Sequence, residues 1–274
     1  MRKFPKNEFL TNGHISAERR LYNCRVPTHS HEFFELEYIL SGEGTYCVDG
    51  TDYEIKQGAL FFITPVNFHS VDMKNTDFYN VMFSADMCKM SILSRLFAGE
   101  STALCEDEES RMLISSIISE ICKNCDNTEY SSLLLETLIY KILTLSESKG
   151  ERELSSDIAR AQLYIMENFK RRLTLSEVSE HTRLSESHFS RKFLSETGKN
   201  FKQYLNELRF AYAEKLLVYS DLTVMQICAE CGFEDYPNFI RRFGTYCGKS
   251  PSEYRKSHYR DNICEGTDAN FKKL

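Results

Sequence analysis

No apolar stretch in this 274-residue sequence approaches the ~18 residues needed to span a bilayer. The longest, such as Ala59–Thr64 and Leu133–Leu135, stop far short, so no membrane partner is expected. The basic start Met1-Arg2-Lys3-Phe4-Pro5-Lys6 is not followed by an apolar core segment, so no signal peptide is expected and the cytoplasm is the expected compartment. Twelve glycines and five prolines are too few for a collagen-like or low-complexity chain. Neither a nucleotide-binding glycine loop nor a phosphoacceptor pattern stands out. What is present is ordinary for a globular protein: 42% apolar and 27% charged residues. A chain of this length buries ~75% of the surface its unfolded form exposes, and so needs neither disulfide nor metal to fold.

Ten cysteines lie mostly among apolar residues. Without a secretory signal they read as reduced thiols. Two Cys-x-x-Cys pairs, Cys122/Cys125 and Cys228/Cys231, sit far apart in helix-like text. They are expected to be small buried apolar residues rather than zinc ligands.

The net charge of −6 hides an asymmetry. Residues 1–150 hold fourteen Lys and Arg against twenty-two Asp and Glu; residues 151–274 hold twenty against eighteen. An acidic half joined to a mildly basic one suggests two domains, with any polyanion partner on the second. The acidic half reads first as strands: Phe33–Leu40, Gly44–Val48, Tyr53–Ile55, Ala59–Thr64 and Asn80–Ser84, divided by turn signals such as Ser41-Gly42-Glu43-Gly44. Short strands at this spacing predict a β-sandwich or barrel. Past residue 87 the period becomes helical. Met112, Leu113, Ile117, Ile118 and Ile121 form one stripe; Leu134, Leu135, Leu138, Ile139, Ile142 and Leu145 form another, broadened by Leu133 and Leu143. Helices 112–121 and 133–145 are expected to pack on the barrel and to form a homodimer interface. The polar stretch Ser146–Glu153 is the expected linker.

Residues 155–258 read as helix and contain a repeat. Phe189-Ser190-Arg191-Lys192-Phe193 recurs as Phe239-Ile240-Arg241-Arg242-Phe243, Gly198 as Gly248 and Tyr204 as Tyr254. In each copy a short helix starts after a threonine, Thr174 or Thr223, and breaks at His181–Leu184 or Cys231–Phe233. A second helix starts after Ser185 or Asp235. This is helix-turn-helix, whose second helix can enter a DNA major groove. The two Phe of each repeat anchor that helix at i, i+4. Arg191 and Arg241 point elsewhere and can reach phosphate or guanine.

Ala161–Arg255 resembles the DNA-binding domain of the AraC/XylS transcription regulators, through Tyr164–Phe169, Phe189–Phe193, Leu208-Arg209, Cys231-Gly232-Phe233, Phe239–Phe243, Gly248–Pro251 and Tyr254-Arg255. The resemblance implies two helix-turn-helix units joined by a long helix, about Phe201–Val218, reading double-stranded DNA. By position in the family pattern it places Ser187, Ser190 and Arg191, then Pro237, Asn238, Ile240 and Arg241, toward bases. Lys192, Lys199, Lys202 and Arg242 become phosphate candidates. It also implies RNA polymerase as a partner and activation as the outcome. Gly244 stands where the family has a basic residue, so weaker readout by the second unit is expected.

In the acidic half, His29-Ser30-His31, Glu35 and Gly42 have the spacing of the first cupin motif, and His69 falls at the second, although Asn67 replaces its glycine. His29, His31, Glu35 and His69 could supply a metal site, and with it a metal-dependent enzyme fused to a helical interaction module. A protein that only dimerises through its helices is a third possibility. Glu32–Ser70 also resembles the sensor domain commonly fused to this DNA-binding domain. That resemblance implies no metal, no cofactor and no catalysis, with His29, His31, Glu35, Tyr46 and His69 lining a cavity for a small effector. A sugar or related metabolite is favoured, and the arm before Pro27 is expected to close over it. The expected architecture is α+β. A cupin-like β-barrel with two following helices (residues 1–150) precedes an all-α domain with two helix-turn-helix units (residues 155–258), and the tail Asp261–Leu274 is expected to be polar and flexible.

Overall fold

A computed structural model describes residues 3–4, 9–10, 12–89, 92–93, 102–145 and 155–258. The linker Ser146–Glu153 and the tail Asp261–Leu274 lie outside the described residues. Contacts divide the chain into two units, one holding the described residues up to Leu145 and the other those from Ser155 to His258.

The first unit is a seven-stranded sheet of β1 (Lys3–Phe4), β2 (Ile15–His31), β3 (Phe34–Val48), β4 (Thr51–Ile55), β5 (Ala59–Ile63), β6 (His69–Phe83) and β7 (Thr102–Leu104). Its order is β1-β2-β6-β3-β5-β7, with β4 paired to β3. The register forces closure. β2 ends at the start of β6, with His29 opposite His69, whereas β3 begins at its far end, with Phe34 opposite Phe83. Fifteen residues of straight strand would separate those ends by ~50 Å. The link from His31 to Phe34 spans at most ~11 Å. The sheet must therefore curl until both ends of β6 lie near that link.

Bulges supply the curl. Register shifts occur between Tyr22 and Cys24 and between Val26 and His29 on β2, and at Ile39/Ser41 and Ser41/Glu43 on β3. Here the expected turn at Ser41–Gly44 is corrected: β3 runs through it. Gly42 and Gly44 have φ of +110° and +145°. A Cβ at Gly44 would stand 1.9 Å from the Asp72 carbonyl oxygen, so glycine permits close approach of β6 rather than reversal of the chain. The expected strand at Asn80–Ser84 is likewise only the end of β6. Of the expected arm before Pro27, Ile15–Val26 belongs to β2 and pairs with β6, while several of the residues before it lie outside the described residues.

Two helices follow, α1 (Glu108–Lys123) and α2 (Thr128–Leu145). Asp107 caps α1 by accepting the Ser110 N–H at 2.7 Å. Ile114, Ile117, Ile118 and Ile121 are buried on α1, as are Leu135, Leu138, Ile139 and Ile142 on α2.

The second unit holds α3 (Ser156–Asn168), α4 (Leu175–His181), α5 (Glu186–Thr197), α6 (Phe201–Tyr219), α7 (Val224–Glu230), α8 (Tyr236–Cys247) and α9 (Pro251–His258). Thr174 and Thr223 cap α4 and α7, and Ser185 and Asp235 precede α5 and α8, as the sequence predicts. Both second helices end on a left-handed glycine, Gly198 and Gly248. Phe189, Phe193, Phe239 and Phe243 are fully buried. Two arginines bind the helices to one another: Arg209 of α6 donates to the Phe169 and Arg171 carbonyls at 2.8 and 2.7 Å, and Arg255 of α9 donates to those of Leu217 and Leu222 at 3.2 and 2.6 Å.

Candidate functional site

With two Phe committed to the core, a recognition helix has only its outer face left for a partner. On α5 that face holds Ser187 and Arg191, both exposed, with Ser190 and Lys192 half-buried. The Arg191 guanidinium donates to the Ser187 carbonyl at 3.3 Å, so the side chain lies back along its own helix. On α8 Pro237 and Arg241 are exposed while Asn238, Ile240 and Arg242 are half-buried. Pro237 falls in the first turn, where its missing N–H costs no helix bond. Arg241 donates to Asn238 Oδ1 at 2.8 Å, joining two expected base-facing groups. Arg242 lies over the Phe210 ring. The phosphate candidates are partly engaged: Lys192 is ion-paired to Asp157 at 2.9 Å, and Lys199 to Glu207. Within the helical unit, between its two helix-turn-helix motifs, a groove of about 580 Å³ is lined by residues of both recognition helices, Ser190, Asn238 and Arg242 among them.

In the barrel, closure brings His31 at the end of β2, Glu35 at the start of β3 and His69 at the start of β6 together. His29 and His31 stand on β2 and Glu35 on β3, so the motif spacing that joins them in sequence spans two strands. His31 Nε2 and His69 Nε2 both approach Glu35 Oε2, at 3.0 and 3.2 Å. The His29 ring packs on His69, centroids 4.0 Å apart, and Tyr46 lies parallel to His69 from further away. Burial pushes the Glu35 carboxyl up, but His31 and His69 outweigh burial and hold it well below the usual carboxylate range. Burial, then His69 and His31, push the His29 imidazole well down.

Two further residues belong to this cluster. Glu37 follows Glu35 on the same face of β3 and pairs across the sheet with Asn80 of β6. Asn80 Nδ2 donates to Glu35 Oε1 at 2.8 Å and to Glu37 Oε1 at 3.3 Å. Burial, then the Glu35 charge, drives the Glu37 carboxyl well above its usual range, so of the two carboxyls Glu35 ionises first. The alternation Glu35-x-Glu37 inside an apolar strand was the signal for Glu37. Asn80, a lone amide in an apolar run, carried less.

The cluster leaves polar atoms over. His69 Nδ1 and Asn80 Oδ1 are buried without a hydrogen-bond partner, whereas the buried Tyr46 hydroxyl and Glu37 carboxyl interact with each other. A buried polar atom left so costs ~1–3 kcal/mol. Each of the two can pair with a hydroxyl- or amide-bearing ligand. The deeper core is apolar, with the Tyr46 ring stacked on Phe61 at 4.0 Å. The four free thiols of the Cys-x-x-Cys pairs join no metal-binding group among the described residues.

The AraC-like ligand binding domain family matches residues 13–143, and the helix-turn-helix domain family matches residues 178–257. The HTH-type transcriptional activator RhaR of Mannheimia succiniciproducens is 25% identical over 253 residues, covering 88% of this chain and 91% of that protein. RhaR of Enterobacter sp. (strain 638) is 26% identical over 269 residues, covering 91% and 95%. Of solved structures, the C-terminal domain of AraT, a response regulator from Geobacillus stearothermophilus, is 30% identical with a TM-score of 0.39, covering 45% of this chain and all of that one. No helix among the described residues is long and apolar enough to cross a membrane.

Proposed function

The chain belongs to the AraC/XylS family, DNA-binding transcription regulators with a ligand-binding domain, and from that premise we propose a cytoplasmic activator whose barrel senses a small polar metabolite, a sugar or its relative. The observation that carries this is the buried polar cluster of His31, Glu35, Glu37, His69 and Asn80 in an otherwise apolar barrel, which leaves His69 Nδ1 and Asn80 Oδ1 without a partner. His29, His31, Glu35, Tyr46 and His69 line the effector site, joined by Glu37 and Asn80. The barrel is a sensor and not an enzyme. The effector favours one arrangement of the regulator by its differential affinity for two states.

On DNA, Ser187, Ser190 and Arg191 of α5 face bases in one major-groove segment, and Pro237, Asn238, Ile240 and Arg241 of α8 face the next. Lys192 and Arg242 flank them at phosphates. The protein acts as a homodimer through the outer faces of α1 and α2, and RNA polymerase is its partner in activation. Selection of the full-length protein on random duplex DNA, at stated salt, tests this reading. One enriched motif with two elements about a helical turn apart is expected. Absence of enrichment both with and without a panel of sugars and polyols would overturn it.

A further inference from the structure

We infer that His31, Glu35 and His69 bind one divalent transition-metal ion of the zinc class. At the barrel closure three residues of metal-ligating type bring their donor atoms together. One ligand atom each from His31, Glu35 and His69 lies within 4.8 Å of the others, and all three residues are buried.

The tautomer of His31 carries the argument further. Its Nδ1 lies 2.7 Å from the Phe33 carbonyl oxygen, which can only accept, so Nδ1 carries the proton. In the neutral ring, Nε2 then presents a lone pair, and it presents it to Glu35 Oε2 at 3.0 Å. His69 Nε2 meets the same oxygen at 3.2 Å. Two imidazole nitrogens around one carboxylate oxygen need a cation between them, a proton or a metal. A ring N–H fixed on a backbone carbonyl is the usual outer support of a metal-bound histidine. Glu35 has its own support, since Asn80 donates to its other oxygen at 2.8 Å. His69 lacks a partner on Nδ1 and is held by the rings of His29 and Tyr46 instead. Two imidazoles and one carboxylate suit zinc, cobalt, nickel or ferrous iron, whereas calcium and magnesium want oxygen alone. Three protein donors leave a coordination position for an outside ligand.

Titration of the chelator-stripped, reduced, full-length protein with Co²⁺ tests this. Expected are one bound equivalent with visible d–d absorption and no near-ultraviolet cobalt–thiolate band, which separates this site from the cysteines. His31→Ala and His69→Ala should each weaken binding by more than ~100-fold, and Asn80→Ala, which removes only the support of Glu35, by ~10–100-fold. Circular dichroism accompanies each variant to show that it is folded. Zn²⁺ should also raise the melting temperature of the wild-type protein, a readout that needs no variant. Absence of saturable one-to-one binding, a thiolate band, or unchanged affinity in folded His31→Ala and His69→Ala would each overturn the assignment. None of these readouts depends on DNA or an effector, so they fail separately from the regulator reading.

Discussion

Arg183 and Gly232 hold the same place in the two helix-turn-helix units, both left-handed, with φ of 61° and 75°. Each ends the first helix of its unit, but only the second unit has the residue that this conformation favours. At Gly232 a Cβ would stand 2.7 Å from the Phe169 carbonyl oxygen and 2.8 Å from the Lys170 carbonyl, so Gly232→Ala adds collision to the ~1–2 kcal/mol of left-handed strain. Arg183 is exposed and already bears that strain. Arg183→Gly should therefore stabilise the protein by about 0.5–1 kcal/mol after glycine's entropy is offset, while Gly232→Ala destabilises it by more than about 2 kcal/mol. Denaturant unfolding of both variants measures this; equal effects of the same sign would refute it.

Gly244 is a second glycine with the opposite logic. It lies inside α8 with helical backbone, and an added Cβ would meet only the Lys249 carbonyl oxygen, at an ordinary 3.9 Å. Gly244→Ala should raise stability by about 1 kcal/mol. Gly244→Lys places a cation where the family has one, and should steepen the slope of log affinity against log salt by about 0.9. An unchanged slope would mean that this position faces away from phosphate.

The helical unit was legible because its signals are local and occur twice. Caps at Thr174, Thr223, Ser185 and Asp235, glycines at 198, 232 and 248, and paired phenylalanines each act within a turn or two. The barrel was legible only in class. β2 and β6 are long, bulged and interrupted by exposed charged residues such as Arg19, Arg25, Asp72 and Lys74, so alternation alone does not mark their length. Gly42 and Gly44 look like a turn in sequence because glycine serves turns and close strand crossings alike. The grouping of Glu35 with His31 and His69 was visible as spacing, but Asn80 enters through the pairing of β6 with β3 across 45 positions, which no local pattern encodes.

Arg209 should prove irreplaceable for stability rather than for DNA contact. Its guanidinium spans two carbonyls at the end of α3 and lies over the Phe233 ring. Lysine cannot form that fork. Arg209→Lys and Arg209→Ala should both destabilise the protein by about 2–4 kcal/mol, since each leaves buried carbonyls unpaired. A lysine variant as stable as wild type would show that charge alone suffices.

The stripes on α1 and α2 divide between core and surface. Met112 is 68% exposed and Leu113 47%, on the face of α1 opposite its buried isoleucines; Leu133 is 57% exposed on α2, with Tyr140 two turns on. If these side chains form the proposed homodimer, Met112→Glu and Leu133→Glu should shift the protein to monomer in sedimentation with little loss of monomer fold, because neither residue is in the core. A wild-type protein that is monomeric at all concentrations, or variants that remain dimeric, would exclude this interface.

The proposed base readout rests on Arg191 and Arg241. Both are exposed on recognition helices whose opposite faces are buried by two phenylalanines each, so neither side chain is needed for packing. In the free protein each is held by its own helix, Arg191 on the Ser187 carbonyl and Arg241 on Asn238. Binding a base would exchange those bonds for contacts to DNA. Replacing either by alanine should weaken specific binding by about 1–3 kcal/mol and relax preference at the contacted base pair. Binding to a scrambled duplex should change little, since phosphates supply most nonspecific affinity. The check is fluorescence anisotropy on the selected motif and on its scrambled form at one salt concentration. Arg241→Ala should have the broader effect, because it also releases Asn238 from its hydrogen bond. If both variants bind the selected motif as wild type does, α5 and α8 are not the helices that read DNA.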